Sequence, residues 1–265
     1  MSAYIAGTVL GGFLGRFIAR VIATHWHWRV TFVVLAALNL AGAILVRAWL
    51  PPAKKFVPAE HLRQVLDHAR EHLRNARLLA NFGMGATVLL ALVGCFTYAN
   101  FYLAAVLFNL NSGQLGSIFF VYLLGGDHNP QSGRFLDRFG FRHTTLVYCA
   151  MMVAGLLLTL VKSLPVVIVG LAIFSSGIFV AQAAAAVQTG AIAGRARSSA
   201  GLYVAFYYLG GSVGATLTDV FWRWAAWPGC VVLLGGASLL SLWLARRSSR
   251  PLDQFDSAEI ELVGD

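Results

Sequence analysis

Arg16 and Arg20 lie inside an apolar run that extends from about residue 4 to residue 24. At 1.5 Å per helical residue, Arg16 falls roughly 18 Å along that run, near the middle of a bilayer. Arg20 shares its face one turn further out. A guanidinium at that depth must face a cavity or a partner. It serves either an anion or proton-coupling site, or a structural hydrogen bond between helices. Other polar groups interrupt apolar runs at Asn39, Tyr98, Asn100, Tyr102, Gln182, Gln188 and Tyr207. Such groups line midplane cavities in transporters and also make ordinary interhelical contacts. Asp219 is the one acid clearly inside an apolar run, with Arg223 one turn on. The pair reads as an i,i+4 ion pair or as a proton relay. His25 and His27 flank Trp26 and precede Trp28, which suits an interfacial aromatic belt better than a metal site. No phosphate-binding glycine loop and no grouping of nucleophile, base and orienting residue is visible. No catalytic residue, metal or cofactor is therefore expected, and the chain is not read as an enzyme.

The elements that position these residues follow from composition. The 265 residues are 58% hydrophobic and 12% charged. Soluble domains carry about 25% charged residues, so lipid must be the solvent for much of this chain. The net charge of +9 comes from arginines between apolar runs, which excludes a nucleic-acid role and points to a membrane protein. Cys95, Cys149 and Cys230 lie within apolar runs and read as small buried hydrophobes. No signal peptide is read at the start. About eight spans are expected, near 4–24, 30–50, 82–108, 113–127, 144–161, 165–193, 200–222 and 227–245, giving an all-α membrane fold. The fourth is the weakest, because its apolar run ends at Asp127. Placing 51–81 in the cytoplasm puts fifteen Lys and Arg inside and three outside, with both termini cytoplasmic. The polar stretch 51–81 contains an amphipathic helix over 59–77, lying along the membrane surface and linking two bundles.

The first and last pairs of spans resemble each other at a constant offset of 199 residues. Tyr4, Ala6, Leu10, Gly11, Gly12, Gly15 and Trp28 match Tyr203, Ala205, Leu209, Gly210, Gly211, Gly214 and Trp227. Val33, Leu35, Leu40, Leu45 and Arg47 match Val232, Leu234, Leu239, Leu244 and Arg246, making twelve identities. Chance would give roughly four in a chain this rich in Leu, Ala and Gly. The shared glycines are a helix-packing device. The last pair closes a unit of six helices that begins near Phe82. By that symmetry the first pair closes an equivalent unit, and four helices are expected to precede it.

Gly133, Asp137, Arg138, Gly140 and Arg142 fit the pattern G-x-x-x-D-R-x-G-x-R, expected in a short cytoplasmic loop. With the spans, the charge bias and the repeat, the chain resembles the major facilitator superfamily. Gly11-Gly12-x-x-Gly15-Arg16 with Trp28-Arg29, and Tyr203-x-x-x-Tyr207-Tyr208-Leu209-Gly210-Gly211-Ser212 with Trp227, are similar to its drug and sugar efflux branch. The resemblance reaches to about residue 247 and departs at Asp127-His128-Asn129-Pro130, where the family is usually apolar. It implies a partial fold of that family. Residues 1–50 would be the last two helices of an N-terminal half, 51–81 a linker, 82–247 a six-helix C-terminal half and 248–265 a cytoplasmic tail. It implies a secondary transporter in a bacterial inner membrane that exports a small organic molecule, coupled to protons. Asp137 and its neighbours would latch one conformation against the start of the first span. Partners are then a small-molecule substrate, protons and the lipid bilayer, with the oligomeric state open. The alternatives are a non-transporting remnant of such a protein and a membrane-embedded enzyme on lipid substrates, for which no clustered carboxylates or histidines are found.

Overall fold

The computed structural model describes residues 26–49, 70–111, 129–193 and 198–249, with single positions between 7 and 23 and between 114 and 121. Five helices carry these residues: α1 (Trp28–Trp49), α2 (Ala76–Ala104), α3 (Asn129–Leu158), α4 (Leu164–Ala193) and α5 (Ser198–Ser248). Each contains a segment long and apolar enough to cross a membrane. The chain is thus an all-α membrane protein, as its composition requires. Most of the 113–127 span and ten of the 21 residues of 4–24 lie outside the described residues, as do 51–69 of the linker and the tail from residue 250.

α5 is two helices. Ala225 (φ −145°, ψ 25°) and Ala226 (φ 51°, ψ −139°) break it. Pro228 then lies in the first turn of the second arm, where its missing N–H costs no hydrogen bond. The arms fold back on each other, and the Cys230 thiol donates to the Thr218 carbonyl at 3.9 Å across the hairpin. The expected spans 200–222 and 227–245 are these two arms.

Three expectations need correction. The third span begins at Ala76, well before residue 82, and ends at Ala104 rather than 108. The amphipathic helix does not continue to Arg77. It stops at Asn75, whose Oδ1 accepts from the N–H groups of Arg77 (3.0 Å) and Leu78 (3.3 Å) and starts α2 afresh. The stretch 129–143 is not a loop. Its backbone is helical on both sides of Gly140, the only interruption, at φ 75° and ψ 165°. A residue with a side chain is disfavoured there, so the motif's second glycine makes the bend.

Packing is densest where glycines bring backbones together. A Cβ on Gly210 would fall on the Ala86 carbonyl, and one on Gly214 would lie 2.5 Å from the Leu90 carbonyl oxygen. The first arm of α5 therefore rests directly on the α2 backbone. Gly155 and Gly170 do the same for α3 and α4, each facing the other's carbonyl oxygen at 2.6 and 2.7 Å. α2 runs through the bundle, with Phe82, Met84, Val88, Ala91 and Cys95 fully buried.

The first hairpin repeats the local geometry of the last in register. Its helix break falls at Trp26 and His27, which are offset by 199 from Ala225 and Ala226. Across it the Thr31 hydroxyl donates to the Ala19 carbonyl at 3.4 Å, offset by 199 from the Cys230–Thr218 bond. What differs is the surroundings. Trp28 is 61% exposed, whereas Trp227 is 1% exposed. Gly11 and Gly15 have nothing within 4 Å of an added Cβ. Gly210→Ala should therefore lower stability by about 1–3 kcal/mol through overpacking. Gly15→Ala should be neutral or stabilising by up to about 1 kcal/mol. Unfolding by detergent titration checks this; equal losses at both sites would contradict the packing described.

Candidate functional site

Of the polar residues singled out in the sequence, the structure brings Tyr98 and Asp219 together. Both lie near one end of the bundle, Tyr98 six residues before the end of α2 and Asp219 six before the break in α5. Six residues are about 9 Å of helix, so the pair sits toward one face rather than at the midplane. The Tyr98 hydroxyl faces the Asp219 carboxylate. On its other side Asp219 pairs with Arg223 at 2.6 Å, with the arginine largely exposed and the acid about one-third exposed. Around the phenol, Trp222 and Phe101 complete an aromatic group, with ring centroids 5.7 and 5.6 Å from Tyr98. One carboxylate thus lies between a phenol and a guanidinium beside three π faces. That arrangement offers a carboxylate and aromatic faces of the kind that attract an organic cation.

A second aromatic group closes this end. Tyr102 stacks on Trp227 with centroids 5.0 Å apart and planes within 6°. The Trp227 indole N–H donates to the Thr159 hydroxyl at 2.9 Å, and the Tyr102 hydroxyl donates to the Thr159 carbonyl at 3.3 Å. Thr159 follows the last residue of α3, so α2, α3 and the α5 hairpin meet at one point.

The opposite end is tied by polar groups. Asn81 is fully buried; its amide donates to the Ala185 carbonyl (2.9 Å) and the Thr189 hydroxyl (2.7 Å) of α4. Arg77 and Gln188 both donate to the Ser248 carbonyl, at 3.3 and 3.4 Å, and so satisfy an orphan acceptor at the end of α5. Tyr203 stacks on Tyr207 (6.0 Å), which meets Tyr208 edge-on (5.7 Å).

The remaining candidates are separate. Asn39 donates to Leu35 O of its own helix on the exposed face of α1, and Asn100 donates to Phe96 O within α2. Gln182 is half-buried on α4, apart from the Tyr98–Asp219 pair. Arg16 and Arg20, and the side chains of Arg134 and Asp137, lie outside the described residues. Arg138 and Arg142 are exposed, Arg138 over the Phe139 ring at 5.4 Å. Sequence reasoning missed Trp222, Phe101, Thr159 and Asn81. Trp222 and Phe101 were reachable, since they lie one turn from the singled-out residues Asp219 and Tyr98; Thr159 and Asn81 pair with residues more than fifty positions away.

The family profile described as Major Facilitator Superfamily matches residues 1–215. An uncharacterized transporter of Buchnera aphidicola subsp. Schizaphis graminum is 31% identical over 252 residues, 93% of this chain and 61% of that protein. The uncharacterized MFS-type transporter YybF of Bacillus subtilis is 29% identical over 259 residues, covering 97% and 64%. The inner membrane transport protein YnfM of Escherichia coli is 30% identical over 254 residues, covering 95% and 61%. The chain therefore spans less than two thirds of the length of these relatives.

Trp227→Phe removes the indole N–H and part of a buried, stacked ring, so it should cost about 1 kcal/mol for the hydrogen bond plus roughly 1–3 kcal/mol for the cavity. Combined with Thr159→Val in a double-mutant cycle, it should show coupling of the hydrogen bond's size. Additive losses would mean that the Trp227–Thr159 bond does not join α3 to the hairpin.

Proposed function

The chain belongs to the major facilitator superfamily, and from that premise we propose that it forms most of a secondary active transporter that exports a small organic molecule against proton entry. The observation that carries this reading is the in-register repeat of helix break and cross-hairpin bond at an offset of 199 residues. Halves related by an axis along the membrane normal, rocking about a site between them, are an established transporter plan. The first hairpin then belongs to one half, and the bundle from α2 to α5 belongs to the other. The exposed Trp28 and the open faces of Gly11 and Gly15 are where the rest of the first half packs. Relatives whose names describe transporters support the assignment, and all are longer than the match.

In this reading the end carrying Arg77, Arg246 and Arg247 faces the cytoplasm, because basic residues collect there. The opposite end is external. The helical segments around Gly140 carry the Asp137 motif as a conformational latch. Asp219, between Tyr98 and Arg223, is the proton-accepting group on the external side, and Arg16 serves the substrate or coupling site of the first half. The location is a bacterial inner membrane.

Export needs both halves. Joined to the part of YybF that the match leaves uncovered and reconstituted in proteoliposomes, the chain is expected to move ethidium, an amphipathic dye, while dissipating an imposed proton gradient. The 265-residue chain alone is expected to do neither. Dye transport by the chain alone would contradict the two-half reading.

A further inference from the structure

Polar side chains on the outward faces of the bundle are gathered on one helix. The exposed positions of α3 between Leu146 and Leu157, of α4 between Val169 and Val187 and of the second arm of α5 between Val232 and Trp243 are all apolar or glycine, as a lipid-facing surface requires. The first arm of α5 differs. Its exposed positions include Tyr208, Ser212 and Thr216, followed by Asp219, about one-third exposed. At about 100° per residue these four fall within about 80° of arc, on the side away from the Gly210 and Gly214 contact with α2. Among the described residues of these spans, Thr97 of α2 is the other exposed hydroxyl. The sister arm shows that the position does not itself demand polarity. At the offset of 199, Ser212 and Thr216 correspond to Phe13 and Phe17.

We propose that this ladder is a wetted track in the assembled transporter, carrying protons between Asp219 and the middle of the membrane through Thr216, Ser212 and Tyr208. It rests on the reading of Asp219 as the proton acceptor given above. The spacing suits water. Ser212 and Thr216 are about 6 Å apart along the axis, and Thr216 and Asp219 about 4.5 Å. Each gap is too long for a direct hydrogen bond and close to the span of one water making two bonds of about 2.8 Å. The hydroxyls are oriented by their own helix, Ser212 donating to the Tyr208 carbonyl at 3.2 Å and Thr216 to the Val213 carbonyl at 3.1 Å. Their lone pairs remain for water, and a hydroxyl can turn its proton to the next acceptor. Tyr208 ends the ladder ten residues after the start of α5 at Ser198, about 15 Å in and near the midplane. From Gly201 to Thr218 the arm holds no charged residue, so nothing along the track traps a proton. A proton from the external solution bonds to the Asp219 carboxylate and leaves it for the adjacent water. Each oxygen then gains one proton and gives up another, so every rung ends neutral and the water at the midplane holds the excess.

The test uses the hybrid with the uncovered part of YybF in proteoliposomes, bearing Ser212→Cys, Thr216→Cys, Val232→Cys or Leu239→Cys singly. The native cysteines of this chain are at most 3% exposed, and the unsubstituted hybrid sets the background. A membrane-impermeant methanethiosulfonate should react about tenfold faster at 212 and 216 than at 232 and 239, since the reactive thiolate forms only where water reaches it. Equally slow reaction at all four positions would place the ladder in lipid and overturn the proposal. As a second readout, Ser212→Ala with Thr216→Val should cut the proton flux that accompanies ethidium severalfold and leave ethidium binding unchanged. Undiminished flux would also overturn it. The export reading fails separately. Reactive positions without ethidium transport would remove export and keep the track, while transport with unreactive positions would keep export and remove the track.

Discussion

The fold depends on backbone-to-backbone contact between α2 and the first arm of α5. In lipid there is no hydrophobic drive to hold two apolar helices together, so association must come from close packing and from interhelical hydrogen bonds. Gly210 and Gly214 provide the first by letting α5 rest on the Ala86 and Leu90 carbonyls. The second is concentrated at the two ends. Trp227 and Tyr102 bind Thr159 at one, while Arg77 and Gln188 bind the Ser248 carbonyl at the other. Between these ends the interior is close-packed and mostly apolar, with the Tyr148 and Ser241 hydroxyls paired at 3.3 Å and the Cys149 thiol donating to the Ser238 carbonyl at 3.4 Å, both joining α3 to α5.

The two hairpins show how one local design behaves in two settings. Both break at the same register, and both carry a cross-hairpin bond between equivalent positions. Hairpin geometry is therefore encoded locally, by the residues at the break and by the small side chains facing across it. The burial of Trp227 comes from α2 and α3. Its counterpart Trp28 has the same helix start and none of that cover. Local sequence sets where the helix turns, and neighbouring helices decide whether the turn is covered.

Much of this was readable from residue pattern. Long apolar runs bounded by arginines place α1, α4 and both arms of α5 within a few residues, because lipid admits little else. The repeated Leu-Gly-Gly-x-x-Gly foretells a close contact, though not which helix supplies the other backbone. Other features were out of reach. Asn75 starts α2 through hydrogen bonds to its own chain inside a stretch whose apolar periodicity runs on without interruption, so hydrophobic pattern is blind to the boundary. The helical backbone through 129–139 was hidden by glycines and charges that read as a loop. The Tyr98–Trp222–Asp219 group joins residues more than a hundred positions apart, and no single-helix periodicity contains that information.

The contact between α2 and α5 can be measured directly. A Cβ on Gly94 would touch the Thr218 hydroxyl, so Gly94→Cys and Thr218→Cys would bring two thiols together where α2 meets α5. Mild oxidation of the chain in membranes, followed by peptide mass spectrometry, should find residues 94 and 218 joined in most molecules. Persistently free thiols at both positions, in protein that has inserted and folded, would show that the two helices do not meet as described.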